Sequence, residues 1–343
     1  MEIRFDDVSY GYSADAPVLH HIDYGLDGSG LVCIIGPNGV GKSTMIRCIN
    51  KLLKPTNGAV YVDGHDVEGF KLKEMAQLIG YVPASNTDTF SMTVLDTILM
   101  GRHPHQKVHA TREDLHVAYE VMKRMNILHL AMRNFDELSA GQHQKVAIAR
   151  GLAQQPRVLI LDEPTSNLDI RHQMQTIDIL RSLAAEDDVL VIMISHDLNL
   201  ASMYADRIIV MSTPGIIYKI GSPEEVITKE MIRYVYGVES EIVMHAGRPH
   251  VILDSYLSNR DVRMLHGDES VVPEHLKRDL FEEGTGRTPM PIWHVHLPLV
   301  RLARNQSRSS MDLGASSFDF NRLLLAYPMN LRHDQYRTYI MAC

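Results

Sequence analysis

Gly36-Pro37-Asn38-Gly39-Val40-Gly41-Lys42-Ser43-Thr44 decides the fold, and it follows directly on the apolar run Leu31-Val32-Cys33-Ile34-Ile35. A buried strand feeds a glycine-rich loop that ends in Lys-Ser-Thr, with the helical Met45-Ile46-Arg47-Cys48-Ile49 behind it. That is the context in which such a loop holds phosphate. The glycines let the main chain come close, so that its N–H groups can wrap a β-phosphate. Lys42 is placed to reach the β- and γ-phosphates, and Ser43 to offer its hydroxyl to Mg²⁺. The helix that begins near Lys42 turns its positive end to the anion. The alternative, a chance match in a Gly-rich turn, would lack the flanking strand and helix.

Two more strand ends carry chemistry. Val158-Leu159-Ile160-Leu161 is a β-branched and leucine run that ends in the paired carboxylates Asp162 and Glu163. Ionised groups avoid the core unless they are engaged. Asp162 fits a role at Mg²⁺, and Glu163 can act on a water opposite the γ-phosphate as general base. The competing reading is an acidic pair that caps a helix. Val189 to Ile194 is a second such run, followed by Ser195-His196-Asp197. Ligands in open α/β sheets sit at the carboxyl ends of strands. His196 therefore reaches the same edge as the carboxylates, where it can bond the γ-phosphate or the attacking water. Leu138-Ser139-Ala140-Gly141-Gln142 opens another helix. Its free N–H groups and the Ser139 hydroxyl form an anion site, or else Ser139 is a plain N-cap.

The remaining pattern fills in an α/β chain. Ile3, Phe5 and Val8 read as a half-buried strand, and Ala59 to Val62 and Ile79 to Val82 as short ones. From Met92 to about Asn134 the pattern is helical, with Val117, Val121 and Met125 at four-residue spacing. Met174, Ile177, Leu180 and Leu183 mark one face of a crossover helix between the two buried runs. Residues 207–220 read as a hairpin around Thr213-Pro214-Gly215, residues 223–236 as short helices, and 241–244 with 250–253 as a last strand pair. The character changes after about Tyr256.

Composition sets bounds. The 343 residues carry a net charge of -8, which argues against broad nucleic-acid binding, and the 45% hydrophobic content is ample for a core. Cys33, Cys48 and Cys343 make no disulfide framework, which suits a reducing compartment. No apolar run is long enough to cross a bilayer, and the first residues lack signal-peptide character. Any connection to a membrane is expected to run through a partner.

In this order the four pieces resemble the ATP-binding cassette (ABC) ATPases: the loop 36–44, the signature 138–142, the carboxylate strand 158–163 and the switch histidine His196. Pro164 to Asp169 is similar to the family's D-loop, and Tyr12 sits where the family stacks an aromatic on adenine, with Tyr10 a near competitor. The resemblance covers residues 1 to about 254. It implies a P-loop NTPase fold of the ABC ATPase type in a domain of residues 1–255: a parallel core sheet, an antiparallel β subdomain, and a helical signature subdomain over about 90–155. It implies ATP and Mg²⁺, the ion held by Ser43 and Asp162, with Glu163, His196 and Lys42 catalytic. It also implies a homodimer with ATP between the loop of one copy and Ser139, Ala140, Gly141 and Gln142 of the second.

Gly101-Arg102, Ser91 to Val94, Ser195 to Ala201 and Gly221 to Val226 look most like importers of iron–siderophore, haem or cobalamin. The implied protein is a peripheral ATPase subunit at the cytoplasmic face of the membrane. Its partners are integral-membrane permease subunits and, indirectly, an extracytoplasmic substrate-binding protein. A soluble non-transport cassette or a nucleotide-gated scaffold with low turnover is the alternative.

There are departures. Ala84 stands where the family has a glutamine that touches Mg²⁺ and reports nucleotide state, so the expectation is that Asn86 or a water substitutes or that coupling is weakened. The signature's usual second glycine is Ala140. Residues 256–343 resemble nothing in the family and are expected to be a poorly ordered extension. Within them Trp293-His294-Val295-His296 is a weak metal-site candidate.

Overall fold

The structure, a computed structural model, describes residues 1–13, 16–84, 92–106, 109–166, 168–258, 261–262 and 265–266. Asn86 and Trp293 to His296 lie outside these residues, as does most of the expected C-terminal extension.

Strands β1 (Glu2–Ser13) and β2 (Ala16–Asp27) pair antiparallel. Ile3, Phe5 and Val8 are fully buried. The step from Phe5 to Val8 breaks the alternation because a register shift falls between them. β3 (Gly30–Ile35) leads into helix α1 (Lys42–Ile49), and β4 (Asn57–Val62) and β5 (His65–Asp66) complete a four-stranded antiparallel sheet in the order β2-β1-β4-β5. Then come α2 (Leu72–Leu78) and β6 (Ile79–Val82), followed by a helical layer of α3 (Val94–Met100), α4 (Arg112–Arg124) and α5 (Ala140–Ala153). β7 (Val158–Leu161), α6 (Ile170–Glu186), β8 (Leu190–Ile194), α7 (Leu198–Tyr204) and β9 (Arg207–Ser212) build the core. β10 (Ile216–Gly221), α8 (Pro223–Val226), α9 (Lys229–Tyr236) and the hairpin β11 (Val238–His245) with β12 (Arg248–Tyr256) follow.

The central sheet has the order β10-β9-β3-β8-β7-β6. From β9 to β6 every pair is parallel, and β10 joins β9 antiparallel. Strands buried on both faces read as continuous apolar runs, which is why β3, β7 and β8 stand out in the sequence. The pleat sorts their side chains. Leu31, Cys33, Ile35, Leu159, Leu161, Val191 and Met193 face the helical layer. Val32, Ile34, Val158, Ile160, Ile192 and Ile194 face α1 and the antiparallel sheet.

The expected face of α4 is met in part, with Met125 in the core and Val121 packed against it. In α4 the buried residues are Asp114, Leu115, Ala118 and Met122, and Val117 and Val121 lie at the flank. The buried face also carries an ion pair. Arg102 Nε donates to Asp114 Oδ1 at 2.9 Å, with the two side chains 4% and 5% exposed. Arg102 also donates to the Ala153 carbonyl and to Gln155. The preceding Gly101 lies against α5, where a Cβ would fall 2.1 Å from the Arg150 carbonyl oxygen. Gly101-Arg102 is thus the pin that ties α3, α4 and α5 together.

The expected boundary after residue 255 falls at the end of β12, but packing continues beyond it. Leu265 is buried in the core, and His266 Nε2 lies 2.8 Å from the Tyr234 carbonyl oxygen. Among the described residues no helix is long and apolar enough to cross a membrane.

Burial works to raise the Asp114 carboxyl, but bonds from Thr111 and from Arg102 hold it below its ordinary value. A depressed folded value means that the stabilisation is present at neutral pH and is lost as acid protonates Asp114. Arg102→Met should strand that carboxylate and cost about 3–5 kcal/mol at neutral pH. Urea unfolding at pH 7 and at about pH 4, near the ordinary carboxyl value, should show the smaller loss in acid.

Candidate functional site

Three parallel strands end at one edge of the central sheet. β3 runs into the loop 36–41, β7 into Asp162 and Glu163, and β8 into Ser195 and His196. Their register, Ile34 opposite Ile194 and Leu161 opposite Met193, keeps the three ends level.

The loop is shaped by its glycines. Gly36, Gly39 and Gly41 all have positive φ, and Gly41, at φ 104, caps α1. A Cβ at Gly41 would lie 2.7 Å from Leu19 Cδ2 and 3.0 Å from the Val18 carbonyl oxygen, so β2 backs the loop. Asn38 and Gly39 are exposed, Pro37 half-buried, and Val40, Lys42 and Thr44 buried. Lys42 Nζ donates to the carbonyls of Gly36 and Pro37, both at 2.8 Å. A cation folded over a glycine turn at the start of a helix is an anion site. Burial lowers the Lys42 ammonium from its ordinary value, and Glu163 and Asp162 push it back up.

The carboxylates divide into two environments. Asp162 is 4% exposed, and Ser43 Oγ donates to its Oδ1 at 3.1 Å. Burial raises the Asp162 carboxyl, and the Ser43 bond works against it. A buried carboxylate with a neighbouring hydroxyl is an oxygen donor pair for a hard cation. A magnesium ion needs only one or two carboxylates beside waters and phosphate oxygens, so these residues fit it. Glu163 is more open, with its Oε1 2.6 Å from His196 Nε2. Its φ is 52, in the region that favours glycine. Both residues line a cavity of about 670 Å³ whose far wall is the terminal hairpin, with Val251 and Leu253.

Tyr12 stands beside the loop, 59% exposed, with its hydroxyl 3.3 Å from Thr44 Oγ1. Tyr10 braces it edge-on, at 5.1 Å between ring centroids. Tyr12 thus presents the freer aromatic face of the two. Ser139 caps α5 in a capping box with Gln142, as the plain N-cap reading has it, and the first turn continues through the exposed Ala140 and the buried Gly141. Among the described residues, no hydrogen bond or ion pair joins 139–142 to the loop 36–44. The starts of α1 and α5 are therefore two separate helix N-termini in one chain. Asp169 caps α6. Ala84 is exposed just past β6.

Two residues here were not anticipated. Tyr236, at the end of α9, lines the cavity beside Glu163 and His196, and burial raises its phenol while the Gly36 backbone works against it. It comes from the far end of the chain, and no local pattern marks it. His172 lies against Gly141. Its one sequence signal is the Asp-x-x-His spacing of a helix start.

Residues 19–166 match the family described as ABC transporter. The chain is 39% identical over 252 residues to the ABC transporter ATP-binding protein MJ0089 of Methanocaldococcus jannaschii, over 74% of this chain and 98% of that protein. The chain belongs to the ABC transporter ATP-binding proteins. This ABC protein is also 34% identical over 254 residues to the ferric enterobactin transport ATP-binding protein FepC of Escherichia coli, over 73% of this chain and 93% of that one. Among solved structures, a metal-chelate type ABC transporter in an inward-facing conformation superposes with a TM-score of 0.64 at 25% identity, over 75% of this chain and 98% of that chain. The expected α/β architecture of the ABC ATPases is the one present, and ATP binding and hydrolysis are the activities of the ABC ATPases.

Gly41→Ala should strain the left-handed position by about 1–3 kcal/mol and press on Leu19. Titration with a fluorescent ATP analogue should show binding weakened at least about tenfold, with unchanged far-ultraviolet circular dichroism.

Proposed function

We propose that this ABC protein is the ATP-hydrolysing subunit of an importer, and that two copies close on two ATP molecules. The observation that carries the reading is the level edge at which Lys42, Asp162, Glu163 and His196 meet. In phosphoryl transfer catalysis lies mostly in positioning and in stabilising charge on the transferring group. Lys42 and the loop amides contact the β- and γ-phosphates. Tyr12 stacks on the base. Ser43 and Asp162 hold Mg²⁺, which when bound neutralises phosphate charge. Glu163 accepts the proton of the attacking water. His196, bonded to Glu163, fixes the direction of that carboxylate, and its ring can hold the γ-phosphate in line.

The signature turn supports the dimer. Beyond the capping box of Ser139 and Gln142, the Ala140 and Gly141 N–H groups and the Ser139 hydroxyl offer donors to an anion. A second copy supplies the anion. The charge buried between two positive helix ends falls on hydrolysis, so the pair then separates.

The cargo reading rests on similarity. The ferric enterobactin relative and the metal-chelate transporter favour an iron–siderophore, haem or cobalamin type substrate. The subunit would then sit at the cytoplasmic face of the membrane, peripheral, on a separate permease fed by an extracytoplasmic binding protein.

Glu163→Gln keeps the shape and removes the base. It should retain ATP binding, lower turnover at least about a hundredfold, the lower range for a lost general base, and run as a dimer with ATP on size-exclusion chromatography. Turnover at the unmodified rate would show that Glu163 is not the base. With purified permease in liposomes, phosphate release should rise. An unchanged rate would favour the scaffold reading.

A further inference from the structure

The D-loop turn and the signature turn of one chain meet at a single side chain. Asp169 caps α6: its Oδ1 accepts the backbone N–H of His172 at 2.9 Å. The same carboxylate holds the His172 ring, with Nδ1 at 2.9 Å from Oδ1 and 2.8 Å from Oδ2. An ionised carboxylate only accepts, so Nδ1 carries the proton and the ring is fixed in direction. Its opposite edge lies on Gly141. A Cβ at Gly141 would fall 2.9 Å from His172 Cδ2, 3.0 Å from Cγ and 3.3 Å from Nε2. Gly141 is buried and is absent from the positive-φ residues, so a side chain here would meet this ring while the backbone conformation does not by itself call for glycine. One turn on, Lys145 Nζ donates to Gln175 Oε1 at 3.0 Å and repeats the link between α5 and α6.

We propose that His172 is a positioning residue for the hydrolysis proposed above, and that it sets the height of the signature turn relative to Asp169 of the same chain. The inference rests on the two-copy reading, in which the first-turn N–H groups of α5 receive a phosphate held by the partner. Those N–H groups move as a unit with the helix start. A ring wedged between Asp169 and Gly141 transmits any shift of the D-loop turn to them. His172 itself touches no phosphate in this scheme. Loss of the ring should therefore spare ATP capture at the loop and slow the step that needs the closed pair.

The test is a double-mutant cycle on the full chain, with kcat and KM for ATP measured in each variant. His172→Ala should lower kcat about tenfold, the scale of coupling expected between touching residues, with KM within about twofold. Gly141→Ala should be the more damaging, because its methyl meets the ring. In the His172→Ala background that methyl has room, so the added cost of Gly141→Ala should shrink about tenfold. His172→Asn adds a control, since its amide can keep the bond to Asp169 but carries no ring edge. It should fold with a thermal midpoint close to the unmodified chain and still show the kcat loss.

Costs that simply multiply, or unmodified turnover in His172→Asn, would overturn the inference. Glu163→Gln run in parallel keeps the two readings apart. If it abolishes turnover while the cycle is additive, only the His172 inference fails. If it leaves turnover intact, the underlying reading fails first.

Discussion

A carboxyl removed from water stays charged only where donors or cations are close. Asp162 sits at the end of β7 with a hydroxyl, Ser43, as its direct side-chain donor, and with Lys42 and Arg47 near enough to favour its charge. Burial still raises its value. The site is thus built with unmet demand for positive charge, while Lys42 beside it is lowered by its own burial. Each group is costly alone, and under the proposed function a nucleotide with its metal would supply partners to both. The buried parallel sheet makes this tension possible, because it delivers both charges to one edge while withholding water from their stems.

Parallel pairing also explains why the edge is level. Each crossover returns the chain to the same end of the sheet, so every strand leaves toward the same side. Had β8 run antiparallel to β3, His196 would lie at the opposite edge from the loop. The register of β3, β7 and β8 converts three separate sequence runs into one site. The antiparallel sheet contributes from outside. β2 backs Gly41, and Tyr12 on β1 reaches Thr44.

What the sequence reveals follows from how local the cause is. β3, β7 and β8 are legible because burial on both faces leaves unbroken apolar runs. The loop and the carboxylates are legible because their chemistry is contiguous. β2 is not, since register shifts scatter its apolar positions Leu19, Ile22 and Leu26 off a strict period of two. On α4 the ion pair of Asp114 with Arg102, twelve residues earlier, puts a carboxylate on the buried face that apolar spacing does not reveal. Tyr236 and His172 escape for the same reason. Each acts through a neighbour that only the tertiary fold supplies, Gly36 in one case and Gly141 in the other.

Glu163 shows how strain and chemistry are tied. A residue with a side chain in the left-handed region costs about 1–3 kcal/mol, and it persists only where the surroundings hold it. The surroundings are present here. His196 Nε2 lies 2.6 Å from the Glu163 carboxylate, and the Glu163 carbonyl accepts both the Ser166 N–H at 3.3 Å and its hydroxyl at 3.1 Å. Glycine at this position would release the strain and lose the carboxylate, and a relaxed glutamate would turn away from His196. The turn after β7 is therefore kept in a conformation that stability alone would not select. That turn leads directly to Asp169, the cap that holds His172. The Glu163 carboxylate held by His196 and the His172 ring held by Asp169 and set against Gly141 are thus positioned by two residues, Glu163 and Asp169, that stand close together in the sequence.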